Sequence, residues 1–262
     1  MPATVAFTVF TKPWKMPIAE LGPFVKELGF AGVELPVRPG YPVNPENAAT
    51  ELSKAARTLA ASGLKIVSVA GATDEATVAA CGAAGVPILR VMAPIAKDSG
   101  YLEQEEQYLR QFDALLPALE RHQVTLGIQH HTGRFVTNAA GLRRLIERYN
   151  PRQIGAVWDP AHCALSGELP ELAIDLLWSH LCLVNLKNGF WRRTNGPEAE
   201  VAHYGHYWTD GRQGQCSWPA VAALLQQRAY TGYVCLCAEY SNADDVNRLI
   251  ANDLAFAQAL FP

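Results

Sequence analysis

The chain is 262 residues long, 49% hydrophobic and 18% charged, with a formal net charge of −3. A chain of this length buries a substantial core, and so small a net charge supplies no electrostatic case for nucleic acid or an anionic membrane as partner. The opening residues MPATVAFTVFTKPW lack the basic start and long apolar core of a secretory signal, and no apolar run reaches bilayer length. Six cysteines, Cys81, Cys163, Cys182, Cys216, Cys235 and Cys237, fall mostly inside apolar strands without zinc-finger spacing. They read as buried free thiols of a reducing, cytoplasmic compartment.

In chain order, strands alternate with helices. Thr4–Phe10 reads as the first strand, followed by the amphipathic stretch Pro17–Leu28, with Ile18, Leu21, Val25 and Leu28 at helical spacing. Ala31–Leu35 is the second strand, and the Ala-rich helix Glu46–Ser62 stops at Gly63. Strands three and four are Lys65–Ala70 and Pro87–Met92. The helix Leu102–His122 follows, and its internal Pro117 is expected to kink or split it. Strand Thr125–Gln129 precedes helix Thr137–Tyr149. Strands Ile154–Asp159 and Leu181–Asn185 come next, then helix Ser217–Arg228 with a serine cap and Pro219 in its first turn. Strand Tyr233–Glu239 and helix Asn242–Phe261 close the chain. Eight buried-type strands with intervening helices in one chain of this length spell a single-domain (β/α)8 TIM barrel over 1–262. The runner-up, an open doubly wound sheet, often carries a glycine-rich turn after its first strand; here that turn is Thr11-Lys12-Pro13-Trp14. Asn188–Ser217 reads as one long irregular insertion, rich in aromatic and polar residues, placed as a lid or binding loop over the mouth or as an oligomer contact.

Four strand-end residues dominate the chemistry. Gln129 ends VTLGIQ, Asp159 ends IGAVWD, Asn185 ends LCLVN and Glu239 ends VCLCAE. In a parallel barrel the carboxyl ends of the strands meet on one face, so two amides and two carboxylates converge on one pocket. Glu34, in GVEL, adds another carboxylate at that face. Adjacent His130 and His131 split between faces, so one of them reaches the pocket easily. Proline after Asp159 forces a turn that brings Asp159 and His162 together, either as ligand and substrate contact or as carboxylate and general base. The plainer alternative is a helix cap beside a surface histidine. Alternation places Asn185 and Lys187 on one side of strand seven; an inward Lys187 pairs with carboxylates and stabilises an enolate oxygen, whereas beyond the rim it is merely solvated. Arg90, Arg192 and Arg193 are candidates to grip a phosphate or carboxylate, and Trp191, Tyr207 and Trp208 suit stacking on a sugar face.

Together these segments resemble the xylose-isomerase-like (sugar-phosphate isomerase/epimerase) TIM-barrel superfamily over nearly the whole length. GFAGVE at 29–34 resembles its strand-two signature, and GIQHHTG at 127–133 resembles a stretch that usually reads G-I-E-N-H-x-G. WDPAH at 158–162 matches the strand-six motif, NLKN at 185–188 resembles H-x-K-D, and GQCSW at 214–218 and GYVCLCAE at 232–239 resemble the closing segments. The resemblance implies a divalent ion, often manganese, held by Glu, Asp, His and Glu, and proton transfer beside a carbonyl or dehydration of a related sugar acid. Carried over by position, the ligands are Gln129, Asp159, Asn185 and Glu239, of which only Asp159 and Glu239 keep the family's residue. The exchange removes a negative charge and an imidazole. Zinc is poorly served by such a set, while manganese or magnesium accepts oxygens at lower affinity. The expectation is a weak manganese or magnesium site or a metal-free barrel.

The function read from the sequence is that of a sugar isomerase/epimerase-like enzyme on a small carbohydrate or sugar acid. Glu239, His162 and Lys187 are its catalytic candidates, and Glu34, His131, Arg192, Trp191 and Trp208 its substrate contacts. The alternatives are a metal-independent lyase or dehydratase of the same fold and a non-catalytic carbohydrate- or partner-binding barrel. DNA repair is disfavoured, since its sites in this fold are histidine-rich and hold several metals. The expected partner is a small carbohydrate, without nucleic acid or membrane, and a homo-oligomer is left open.

Overall fold

The short apolar runs form strands β1 (Ala6–Phe10), β2 (Gly32–Pro36), β3 (Lys65–Ala70), β4 (Ile88–Met92), β5 (Thr125–Gln129), β6 (Ile154–Trp158), β7 (Leu181–Leu186) and, after two further strands, β10 (Tyr233–Cys237). In the computed structural model, which describes residues 5–261, they close in the order β1-β10-β7-β6-β5-β4-β3-β2. Thr4, the expected start of the first strand, lies outside the described residues. Closure rests on β1, which pairs in parallel with β10 from Ala6↔Tyr233 to Phe10↔Cys237 and with β2 from Thr8↔Gly32 to Phe10↔Glu34. An open sheet has two free edges; this one has none, so the chain is a (β/α)8 barrel.

The helices are α1 (Ile18–Glu27), α2 (Ala48–Ala61), α3 (Glu75–Ala83), α4 (Tyr101–His122), α5 (Ala139–Ile146), α6 (Pro160–Leu165), α7 (Pro170–Leu177), α8 (Trp218–Gln227) and α9 (Val246–Leu260). The start of α8 is capped as the sequence predicts: Ser217 accepts from the Ala220 amide at 3.3 Å, with Pro219 in the first turn. Gly63, after α2, has φ +73°, a left-handed conformation that glycine adopts without strain. Pro117 does not split α4, which runs as one helix of 22 residues. The last expected helix divides into a short 3-10 turn at Ala243–Asp245 and then α9. Helices α3 and α7 have no counterpart in the sequence reading, and α6 enters it only as the helix-cap alternative at Asp159. α3 (EATVAACGA) lacks a polar face, so no amphipathic period announces it.

The larger correction concerns Asn188–Ser217. It is not irregular: β8 (Asn188–Arg193) and β9 (Tyr204–Thr209) form an antiparallel hairpin, paired from Asn188↔Thr209 to Arg193↔Tyr204. Both strands mix polar and aromatic residues on both faces, which hides the alternation of a half-buried strand. The hairpin starts one residue after Lys187. Asn188 pins its root, donating to the carbonyls of Gly211 and Cys216 and accepting from the Gly189 and Cys216 amides.

The principal core lies between the strands and the surrounding helices. A second, smaller cluster, Phe10, Ala70, Ile88, Val157, Leu183 and Cys235, fills the inside of the barrel. Removing a buried leucine from such a layer costs about 2–5 kcal/mol. Two residues further along several of the same strands the interior turns polar: Ile88 gives way to Arg90, Val157 to Asp159, and Leu183 to Asn185 and then Lys187. The period of two that builds an apolar floor therefore also aims charged groups at the mouth.

Candidate functional site

At the mouth, buried polar side chains form one continuous chain of contacts. Glu34 is fully buried on β2 and accepts from Ser68 Oγ at 2.8 Å and from Arg90 Nε at 3.0 and 3.1 Å. A second guanidinium nitrogen of Arg90 also pairs with Glu34, and the third donates to Gln129 Oε1 at 2.8 Å. Gln129 in turn donates through Nε2 to Asp159 Oδ2 at 2.7 Å. Lys187 Nζ lies 3.6 Å from the same Asp159 oxygen and donates to Glu239 Oε2 at 3.1 Å. Lys12, just past β1, pairs with the other Glu239 oxygen. An ammonium thus stands between the two carboxylates that follow β6 and β10.

These contacts set the protonation states. Glu239 is held well below the usual carboxylate range, because the pull of Lys187 and Lys12 outweighs the upward push of burial. Burial raises Asp159, against the opposing pull of Lys187. Burial lowers Lys187, but Glu239 and Asp159 more than reverse it, so its amine stays charged. Trp208, from β9, brings its ring to 4.6 Å from Lys187 Nζ, a cation–π contact that covers the ammonium.

The two adjacent histidines separate as strand geometry requires. His131 lines a cleft with Phe10, Lys12, Arg38, Arg90, Lys187 and Glu239. Its Nδ1 is 2.7 Å from the Thr132 carbonyl, which can only accept, so Nδ1 carries the proton and Nε2 is the free base. Burial, then Lys187, lowers it to about 4. His130 is buried on the other side, where its Nε2 accepts from the Asp159 amide at 3.2 Å. A neighbouring cleft is walled by Lys12, Tyr41, Trp208, Glu239 and Tyr240. Lys12 and Glu239 are common to both clefts, so they sit at the centre of one extended mouth.

The sequence between residues 23 and 260 matches the family model described as a xylose isomerase-like TIM barrel. The chain belongs to that family. No curated protein sequence matches it significantly. Among solved structures it is similar to the 3-keto-D-glucoside 4-epimerase YcjR from E. coli, with TM-score 0.77 and 14% identity, over 97% of this chain and 99% of that one. It is also similar to D-psicose 3-epimerase from Clostridium cellulolyticum H10 (TM-score 0.74, 11% identity, 98% and 99% covered). A third similar structure is the probable 3-DHS dehydratase AsbF from Bacillus anthracis (TM-score 0.73, 13% identity, 97% and 99% covered). At these identities the likeness is one of fold.

The divalent ion that the resemblance implies for a xylose isomerase-like barrel does not fit the four positions here. Lys187 already supplies a positive charge to both remaining carboxylates, 3.6 Å from Asp159 Oδ2 and 3.1 Å from Glu239 Oε2. Gln129 turns its N–H toward Asp159 and commits its carbonyl to Arg90. Asn185 sits a pleat deeper than Lys187, opposite Cys235, fully buried and neutral. Among the described residues no three His, Cys, Asp or Glu side chains are grouped to hold a metal.

Other expected site residues are also displaced. Glu34 lies behind Arg90, so it positions that arginine and is closed to substrate. His162 is fully buried, receives the Thr132 amide on Nδ1 at 3.3 Å and holds Nε2 3.7 Å from Asp159, so it backs the site without lining either cleft. Asp159 meanwhile caps α6 by accepting the His162 amide at 3.3 Å, as the helix-cap alternative expects, but the histidine beside it is buried and not on the surface. Trp191 donates to the Leu165 carbonyl and stacks on His206, and Arg192 stacks on Tyr207; both are exposed on the hairpin and outside the clefts. Lys12 and Arg38 were missing from the candidates. Each follows a strand by two residues, much as Asp159 follows β6 by one.

Proposed function

We propose that this barrel is a metal-independent isomerase or epimerase of a small carbohydrate, moving a proton at the carbon beside a carbonyl. The observation that carries this reading is the ammonium of Lys187, desolvated under Trp208 and shared by Asp159 and Glu239. A preorganised cation in a dry site stabilises a developing oxyanion, a contribution of about 3–4 kcal/mol in comparable sites. The epimerases among the similar structures support the carbohydrate class.

The step balances without an oxidant. A substrate carbonyl oxygen accepts a hydrogen bond from Lys187, the α C–H bond breaks, and its electron pair enters the enolate as the oxygen takes up negative charge. Glu239 receives the proton. As it stands, Glu239 is a weak base, because two ammonium groups hold it ionised. Sharing Lys187 with the substrate oxygen loosens that clamp and raises its basicity at the moment it is needed. Glu239 passes the abstracted proton to water in the open mouth; delivery of a proton from water to the opposite face of the same carbon gives an epimer, and delivery to the former carbonyl carbon, with the α-hydroxyl proton passing to the former carbonyl oxygen, gives an isomer. The free Nε2 of His131 is the second proton acceptor on the wall.

The experiment is hydrogen exchange. Chelator-treated protein in D₂O with a panel of ketoses and sugar acids should place deuterium beside the carbonyl of at least one of them. Lys187→Ala should lower the rate on the order of 10²-fold or more. Exchange that requires added Mn²⁺, exchange untouched in Lys187→Ala, or no exchange across the panel would each overturn the reading.

A further inference from the structure

Four cations meet at the mouth, and three have partners. Arg90 spends its guanidinium on Glu34 and Gln129, Lys187 on Glu239 and Asp159, and Lys12 on Glu239. Arg38 follows β2 by two residues, is half-buried and lines the same cleft. Among the described residues its side chain makes no hydrogen bond and no ion pair. Its guanidinium lies 5.5 Å from the centre of the Phe10 ring, whose centre is 4.7 Å from Arg90. Two guanidiniums therefore flank one phenyl ring, and only one of them is neutralised. The carboxylates that could answer are spent: Glu34 is sealed behind Arg90, Asp159 is buried, and Glu239 is held by two lysines. The mouth carries one more positive charge than negative before any ligand enters. Arg38 is partly desolvated without a counter-ion, which carries a cost, and a guanidinium is built to take a carboxylate or phosphate through paired N–H donors.

We infer that Arg38 is the anchor for an oxyanion on the substrate, so that the ligand of this mouth is an acidic sugar, carrying a carboxylate or a phosphate, and not a neutral one. The inference rests on reading the mouth as the substrate site. It sets the orientation of the ligand: the acidic group lies at Arg38 on the β2 side, and the reacting carbonyl lies at Lys187 on the β7 side. It also explains why Arg192 and Arg193 are not needed for this task, being exposed on the hairpin.

The test is binding, read by calorimetry on the purified full chain, with D-gluconate, D-glucose 6-phosphate and neutral D-glucose as probes. The expected result is that one acidic probe binds about 10- to 100-fold more tightly than glucose, the stronger arm telling carboxylate from phosphate. Arg38→Met should abolish that preference while Arg38→Lys keeps part of it, with far-UV circular dichroism and melting showing both variants folded. Equal binding of glucose and both acids, no binding of either acid, or an acid preference surviving in Arg38→Met would overturn the proposal. Because binding is measured apart from turnover, its failure is distinguishable from that of the catalytic reading. Acid preference without deuterium exchange would sink only the latter, and exchange on neutral sugars without acid preference would sink only this one.

Discussion

Gln129 Nε2 donates to Asp159 Oδ2 at 2.7 Å while its own Oε1 accepts from Arg90 at 2.8 Å, so one amide joins a guanidinium to a carboxylate. Neither a glutamate nor a leucine can do both. Gln129→Glu keeps the acceptor for Arg90 and removes the donor for Asp159, setting two carboxylates against each other. A buried acceptor left unpaired costs about 1–3 kcal/mol. The urea midpoint in the presence of EDTA should fall accordingly. Added Mn²⁺ should not restore it, because Lys187 still fills the space between Asp159 and Glu239; full recovery with Mn²⁺ would refute that placement.

The Glu34–Arg90 pair should behave as a buried ion pair. Removing one partner strands the other charge in the barrel and costs about 3–5 kcal/mol, whereas replacing both with apolar residues of similar size is much milder. Glu34→Leu and Arg90→Met should each be strongly destabilised, and the double variant should lie closer to wild type than either. Chemical denaturation of the three variants gives the coupling directly; simple additivity would show that the pair is not the stabilising unit.

Lys187 restrains the upward push of burial on Asp159. In Lys187→Met that restraint is gone, and the folded-state pKa of Asp159 climbs further above its unfolded value. A raised carboxylate contributes stability at pH values below the unfolded pKa and loses it as pH rises through the folded one. The variant should therefore lose stability relative to wild type on going from pH 5 to pH 8. Midpoints that move in parallel over that range would disprove the coupling.

His131 has the opposite sign. Burial and Lys187 lower it to about 4, below the ordinary 6.5. Its contribution is intact above pH 6.5 and is lost as pH falls toward 4, because the unfolded chain then binds the extra proton. His130, lowered to about 3 by burial and by His131, adds to the same trend. Asp253, raised by burial to about 6 while accepting from the Gly211 amide and the Tyr240 hydroxyl, works against it between pH 4 and 6. His130, His131 and His162 are all lowered, chiefly by burial, against the two raised carboxylates Asp253 and Asp159, so acidification from pH 6.5 to 4 should destabilise the protein. Histidine NMR titration should show the His131 ring neutral down to about pH 5; protonation near pH 6.5 would contradict its environment.

The barrel was legible because its strands announce themselves: short Val- and Ile-rich runs ending in Gln129, Asp159 and Glu239 identify both the fold and the face that carries the site. Lys187 was legible too, since alternation from Asn185 pointed it inward. Partnership was not. The sequence shows Glu34 and Arg90 as two charges 56 residues apart, and only the register of β2, β3 and β4 brings them into contact. The same limit hid the idle guanidinium of Arg38, whose importance lies in contacts it does not make. His162 misled because Pro160 and Asp159 do form the expected turn, but α6 then carries the histidine behind the wall. Trp191 and Arg192 misled for a related reason: residues on a hairpin that covers the mouth need not face into it.

Lys187 is fixed by a peptide bond to the last residue of β7 and roofed by Trp208. Its positive charge cannot diffuse away on dilution, be stripped by a chelator or be exchanged for the wrong ion when metals are scarce or unbalanced in the cell. In the proposed metal-independent step it would supply one unit of charge where a divalent ion supplies two, and no vacant coordination position for a second oxygen.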